Sequence, residues 1–486
     1  MSQDTPRDDS DTPLPNGVDE RGRLLPELLP EALGSFAQRE ATPSPAESIS
    51  RARSLRDEAS FGVVADVDDP NDLAQAGWGV LFGAGADPEV KRALQPLLDR
   101  RREQAGALFK VFEGSDGCQP GEGATAWLAR RGVRADTVDP LLGVPFYLLL
   151  VGSPQEIPFE FQYALDVYWG VGRVAFDTPD EYRRYAESVV AYETAARPPH
   201  GRRVAVFATR HDFDRATQLF ATQVAQPLVQ GTDQRGPLGQ RWGFGLQHFV
   251  GDPATKAALA SVLRGDVPGG PPAILFTGSH GMELRPSSSQ HAAAQGALVC
   301  QDWPGFGSIS AAHWFAAGDV PQDASVHGLI HFFFACYGAG CPRLDSFANA
   351  PQGTEPRQIA ERDFVARLPQ ALLSHPRGGA LAALGHIDRA WSYSFVSDRG
   401  KPQLQGFRDV LGRLMRGDRL GLATDEFNMR WAALSAELAD ALRGRGFGDV
   451  SDRELASRWV ARDDARNYVA LGDPAVRLRV EVMAPA

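Results

Sequence analysis

Lysine, cysteine and long apolar runs are the scarce features of this 486-residue chain. Only Lys91, Lys110, Lys256 and Lys401 carry ammonium groups, so arginine supplies nearly all the positive charge. With 50 basic against 61 acidic residues the net charge is −11, and an acidic chain of this kind repels phosphate backbones. Nucleic acid is therefore excluded as the main partner. The four cysteines, Cys118, Cys300, Cys336 and Cys341, form no CxxC pair and no metal-ligand spacing with histidine. That excludes a zinc site and a disulfide framework, and no metal or cofactor is expected. No apolar run is long enough to cross a bilayer, and the opening "MSQDTPRDDSDTPLPNG" has no apolar core of a secretory signal. The expected location is the cytoplasm, where a free thiol persists.

What is present is an alternation of short apolar runs and amphipathic segments. "GWGVLFGA", "LFKVFEG", "PFYLLLVGS" and "VAVFAT" read as buried strands, and "DPEVKRALQPLLDRRREQA", "GATAWLARRGV" and "DRATQLFATQVAQPLV" read as helices. Such alternation predicts a mostly parallel sheet with helices on both faces. The helix in "DTPDEYRRYAESVVAYE" has a marked start: Thr178 as N-cap, Pro179 in the first turn and Glu181 completing a capping box. Residues 1–60, rich in Pro, Asp, Ser and Arg, read as a mostly disordered arm with a short helix in "LLPELLPEALGSFAQ". Residues 61–200 read as a smaller α/β subdomain and 201–486 as the main α/β domain. The Gly83-Ala84-Gly85 turn lacks the third glycine of a dinucleotide fingerprint and is set aside.

Three late strands end in residues that do not belong in a core: "PPAILFTGSHG", "GLIHFFFACYGAG" and "GGALAALGHIDRAW". In open α/β sheets, sites form beyond the carboxyl ends of strands. Neighbouring parallel strands would bring His280 and Cys336 to one edge. A thiolate there attacks a carbonyl while an imidazole moves the proton. The backbone N–H groups of Gly281 and Cys336 are the natural donors to the developing oxyanion. Taken singly, a buried cysteine is usually packing and a strand-end histidine is usually a hydrogen-bonded structural group. The pair, each followed at once by glycine or Tyr-Gly, favours chemistry.

The strands "AILFTGSHG" and "HFFFACYGAG" resemble the His-Gly and Cys strands of the caspase-like cysteine peptidases of clan CD, and within them the gingipain-like family. "PFYLLLVGSPQEIPF", "LDVYWGVGRVAFDTPDEYRRYAESVVAYE" and "NYVALGDPAVRLR" resemble further family segments in the same order, from about Phe146 to Arg479. The resemblance implies a caspase-like α/β sandwich preceded by a smaller α/β subdomain. It implies Cys336 as nucleophile, His280 as its catalytic histidine, and cleavage of proteins after arginine. On that resemblance Asp212 or Asp214 forms the carboxylate of the S1 pocket and Trp391 one wall of it. The chain departs from the family in lacking its glutamate near the histidine, which leaves Asp212 as the orienting group and Asp214 for substrate. Phe334 stands two places before the nucleophile, where other clan members carry Asp or Gln. A cytoplasmic endopeptidase must be gated, which implies a zymogen of the kind found in bacterial defence or cell death, switched on by cleavage or by a regulatory protein. If cleavage follows arginine, Arg21, Arg23, Arg343 and Arg357 are the processing sites, and the insert "PSSSQHAAAQG" is a third exposed stretch. Two other readings stand beside this one: a catalytically silent scaffold, and a thiol amidase acting on a small molecule. Neither a membrane nor a nucleic acid is an expected partner.

Overall fold

The computed structural model describes residues 14–25, 67–134, 138–347, 356–396, 401–445 and 450–486. The helix expected in "LLPELLPEALGSFAQ" lies almost wholly outside them. Among the described residues sixteen strands are numbered in chain order. They begin with β1 (Gly17–Asp19), β2 (Trp78–Phe82), β3 (Phe109–Phe112), β4 (Tyr147–Val151) and β5 (Gly170–Val174). β6 (Arg203–Ala208), β7 (Gly245–Val250), β8 (Ile274–Gly278) and β9 (Gly281–Glu283) follow. After the two-residue strands β10 (Leu298–Val299) and β11 (Trp314–Phe315) come β12 (Ile330–Phe334), β13 (Gly340–Cys341), β14 (Phe364–Val365), β15 (Ala382–His386) and β16 (Tyr468–Gly472).

Ten of these form one sheet in the order β3-β2-β4-β5-β16-β15-β12-β8-β6-β7. Every pairing is parallel except β15 with β16. The sheet therefore consists of two parallel halves running in opposite directions and joined at that one antiparallel pair. β2, β4, β5, β8, β12, β15 and β16 are buried at every residue. Side chains alternate between faces along a strand, so both faces of the sheet are covered. This is the mixed α/β architecture that the alternation of apolar runs predicts.

The strands before residue 200 and those after it lie side by side in one sheet and meet at the β5–β16 pair. β16 comes from the last 20 residues of the chain and pairs in parallel with β5 of the N-terminal half through Leu471 and Arg173. Asp473, just after β16, fastens the two halves further. It accepts from Trp78 Nε1 at 2.9 Å and from Arg101 Nε at 2.7 Å, and Arg101 also pairs with Glu193 at 2.6 Å. These charges are buried, and burying charge is tolerated because each group is multiply bonded.

The Thr178 capping box forms, with Pro179 in the first turn of the helix Pro179–Thr194. The helix expected over "DPEVKRALQPLLDRRREQA" is two helices, Pro88–Ala93 and Gln95–Ala105. Pro96 lacks the N–H that a continuous helix would need, so it sits in the first turn of the second. The larger difference concerns the arm. Residues 14–25, expected to be mostly disordered, form β1 and a turn that bring the chain back along it. β1 joins a second, four-stranded sheet in the order β1-β9-β10-β11. That sheet covers the carboxyl ends of β8 and β12.

Candidate active site

β8 and β12 are direct parallel neighbours, with Gly278 opposite Phe334. Phe332, Phe333 and Phe334 are fully buried, and Phe334 stacks on Phe220 at 4.9 Å and packs on Phe395 and Phe407. This explains the apolar residue two places before Cys336: its side chain faces the aromatic core. His331 within β12 is structural, its Nε2 meeting Thr277 Oγ1 at 3.0 Å.

The two strands deliver His280 and Cys336 to one edge. The backbone around His280 is fixed by Ser279 N–H donating to Phe334 O at 3.1 Å and by Val299 N–H donating to His280 O at 2.9 Å. The imidazole is fully buried. Its Nε2–H donates to Asp214 Oδ2 in a short contact. Asp214 Oδ2 also accepts from Thr217 Oγ1 at 2.8 Å, while Oδ1 caps the helix Arg215–Phe220 by accepting from Ala216 N at 3.0 Å. Burial alone would raise the Asp214 carboxyl; the facing imidazole and the Thr217 hydroxyl outweigh it and bring the pKa down to about 2. Nδ1 of His280 has no hydrogen-bond partner among the described residues. This tautomer leaves Nδ1 as a proton acceptor. Burial, and then the neighbouring His280, push the nearby His211 down to about 4, so it adds no charge at neutral pH.

Cys336 follows β12 at a sharp bend. Tyr337 has φ 59, a left-handed conformation that a bulky residue adopts only when held. It is held by its N–H donating to Asp388 O at 2.7 Å and by its hydroxyl donating to Glu283 at 2.9 Å. Glu283 in turn pairs with Arg357 at 2.7 Å, and Arg357 with Asp345 at 3.0 Å. Gly281 passes so close to this bend that a Cβ there would lie 1.8 Å from Cys336 O. Glycine is required at that point for contact, not for backbone angle.

The thiol is buried, and burial pushes its pKa up. Sγ accepts from Ala390 N–H at 3.3 Å and donates to Ala390 O at 3.7 Å. The N–H groups of Gly281 and Cys336 converge on one acceptor, the carbonyl oxygen of Asn16, at 2.9 and 3.1 Å. A peptide carbonyl thus sits beside the sulfur in a two-donor cradle.

The other expected residues fall as follows. Asp214 faces His280, and Asp212 is exposed. The carboxylate that caps the helix is the one turned inward, because capping and the imidazole bond use the two oxygens of the same group. The Trp391 side chain is fully buried and packs on Phe347 at 5.3 Å in a cluster with Leu438 and Trp459, while its backbone forms a bridge to Pro15. Arg21, Arg23 and Arg343 are exposed. Arg357 is not a free loop residue, since both its partners are carboxylates beneath the Cys336 bend. Sequence reasoning missed Asn16, Ala390 and Ser392. Asn16-Gly17 between Pro15 and Val18 is a turn-type pair within a Pro-rich stretch, which hides its extended role. Among the described residues no group of three or more His, Cys, Asp or Glu is placed to hold a metal ion, and no helix is long and apolar enough to cross a membrane.

No family model and no curated protein matches the chain. Among solved structures it is similar to the Arg-specific cysteine proteinase gingipain R, with 12% identity over 84% of this chain and 79% of that one, at a TM-score of 0.48. A complex of the pro- and mature domains of RgpB from Porphyromonas gingivalis is similar at 11% identity over 83% of this chain and 80% of that one, at a TM-score of 0.47. The separase–securin complex of Saccharomyces cerevisiae aligns with 68% of this chain but 16% of its own, at 11% identity and a TM-score of 0.31. At such identities the likeness is one of general arrangement and transfers neither activity nor residue roles.

Proposed function

We propose that the protein is a cysteine-type endopeptidase with Cys336 as nucleophile, His280 as general base and acid, and Asp214 as the group that orients the imidazole. The observation that carries this reading is the convergence of the Gly281 and Cys336 N–H groups on a peptide carbonyl oxygen next to the Cys336 sulfur. A two-donor cradle of fixed backbone dipoles stabilises the negative charge that develops when a carbonyl is attacked, and a single such donor is worth about 10²–10³ in rate.

In the reaction, Cys336 gives its proton to His280 Nδ1 and Sγ bonds to the carbonyl carbon. The oxyanion rests on the two N–H groups. His280 then returns the proton to the departing amine as the C–N bond breaks, and water hydrolyses the thioester. Asp214 keeps Nε2–H on its own side throughout, so Nδ1 is always the nitrogen that exchanges the proton.

The substrate reading is an extended peptide. Backbone groups of Ala390 and Ser392 on one side and of β9 on the other offer strand-like pairing, which suits a polypeptide better than the small amide of a closed apolar pocket. With Asp214 committed to His280, Asp212 is the carboxylate left for a basic-residue pocket, and its exposed position gives that pocket little support. The buried thiol, with its raised pKa and occupied cradle, fits a zymogen that needs proteolysis or a partner protein to open.

The test is hydrolysis of fluorogenic peptides with Asn, Arg, Asp or Leu before the scissile bond, by the full chain and by Cys336→Ala, before and after limited proteolysis. The expected result is cleavage that disappears in the variant. Equal hydrolysis by both proteins would remove Cys336 from the mechanism.

A further inference from the structure

The peptide whose carbonyl fills the cradle belongs to the protein itself. On its N-terminal side, Asn16 N–H donates to Ala390 O at 2.8 Å, Leu14 N–H donates to Ser392 Oγ at 3.0 Å, and Ser392 N–H donates to Leu14 O at 3.0 Å. On its C-terminal side, β1 pairs in parallel with β9, Gly17 opposite Gly281 and Asp19 opposite Glu283. The chain thus crosses the site in extended form, bonded on both sides of the Asn16–Gly17 peptide. A Cβ on Gly17 would fall 2.8 Å from Cys336 Sγ and 2.6 Å from Leu25 Cδ1, so only glycine lets this bond lie against the sulfur. The Asn16 side chain is fully buried, and neither its Oδ1 nor its Nδ2 has a hydrogen-bond partner among the described residues, so no carboxylate pairs with the occupant of this position and a guanidinium in place of the amide would be buried without a counter-charge.

We infer that Leu14–Asp19 is the enzyme's own first substrate, cut by Cys336 between Asn16 and Gly17, and that the pocket before the scissile bond takes asparagine in preference to arginine. The inference rests on the peptidase reading above. Cys336 Sγ bonds to the Asn16 carbonyl carbon as its proton passes to His280. The Asn16–Gly17 C–N bond breaks, and that proton leaves with the new Gly17 amine. Water then releases the Asn16 carboxylate from the thioester. Arg21 and Arg23 do not reach the sulfur in this arrangement: the turn is closed by Gly22 N–H donating to Asp19 O at 2.9 Å, and the Arg23 guanidinium pairs with Asp19 at 2.6 Å. The thiol's hydrogen bonds go to Ala390, so turnover of this seated bond is slow and the uncut segment acts meanwhile as a plug. Losing residues 1–16 empties the side of the cleft formed by Ala390 and Ser392.

The experiment follows purified full-length protein by intact mass and N-terminal sequencing over time, beside Cys336→Ala. The same samples are assayed on Leu-Pro-Asn and Leu-Pro-Arg reporter peptides. Gly17→Val, whose side chain cannot fit against the sulfur, serves as a full-length variant with the plug expelled. Val18→Asp, which places a charge at a fully buried position of the same strand, is a second. We expect a new N-terminus at Gly17 in the wild type and none in Cys336→Ala. We also expect Leu-Pro-Asn cleaved faster than Leu-Pro-Arg, and reporter rates at least about tenfold higher in the expelled variants, since a tethered occupant competes at millimolar effective concentration. An intact wild type, with expelled variants that cleave reporters, would overturn self-processing and leave the peptidase standing. New termini after Arg21 or Arg23, or faster cleavage of Leu-Pro-Arg, would also overturn the inference. No cleavage by any of these proteins would remove the peptidase reading itself.

Discussion

Replacing Asp214 by Asn separates the two jobs this carboxylate does. Asparagine caps helices about as well as aspartate, so the helix Arg215–Phe220 keeps its Ala216 N–H bond. What is lost is the charge facing His280 Nε2. The facing imidazole and the Thr217 hydroxyl hold the carboxyl at about 2, below the usual carboxylate range. At roughly 1.36 kcal/mol per pKa unit that lowering is about 2 kcal/mol of stability at neutral pH. The catalytic effect is larger. An Asn amide N–H turned to Nε2 favours the imidazole tautomer with its proton on Nδ1, which cannot accept the proton of Cys336. We expect kcat to fall on the order of 10²-fold with KM nearly unchanged, within the share general acid–base catalysis supplies. The assay is kcat and KM for a reporter peptide in the Gly17→Val background, with thermal unfolding in parallel. Asp212→Asn, at an exposed position, is the control and should stay within about twofold, as ordinary surface substitutions do. Activity kept in Asp214→Asn and lost in Asp212→Asn would refute the assignment.

Other predictions follow from the same geometry. Gly281→Ala places a methyl 1.8 Å from Cys336 O and displaces an oxyanion donor, so kcat should fall at least about 10²-fold while the fold, read by circular dichroism, persists. Asp345→Ala removes a buried carboxylate that pairs with the buried Arg389 and is one of the two partners of Arg357; unfolding in urea should show a loss of about 3–5 kcal/mol. The sign for Asp214 is that of a depressed carboxyl: its contribution is complete above about pH 4 and is lost as the pH falls toward 2. Wild type should therefore lose about 2 kcal/mol more than Asp214→Asn over that acid range, as seen in paired urea titrations.

The sheet was readable where strands are buried on both faces, because short runs of large apolar residues such as Tyr147–Val151 and residues 332–334 suit a strand covered on both sides. That the strands preceding His280 and Cys336 end at one edge was readable for a related reason: parallel neighbours carry their final residues to the same side of the sheet. Less accessible was the closure of the sheet through β16, since an antiparallel pair between β15 and β16 leaves no periodic trace in either strand. Which of Asp212 and Asp214 turns inward was hidden because both suit a helix start and only tertiary packing selects one. The segment around Asn16 was hidden most deeply. Its pairing partners lie in residues 281–283 and 390–392, and its own composition of Pro, Asn and Gly reads as a turn. The backbone bonds that order it are non-local and involve no apolar pattern.

The most direct test of the central claim is covalent labelling of the thiol. The Gly17→Val protein would be treated with a Leu-Pro-Asn peptidyl chloromethyl ketone, digested and mapped by mass spectrometry. The account predicts one label, on Cys336, with none on Cys118, Cys300 or Cys341, and its loss in His280→Ala at neutral pH. Label on another cysteine, or equal labelling of Cys336 without His280, would contradict it.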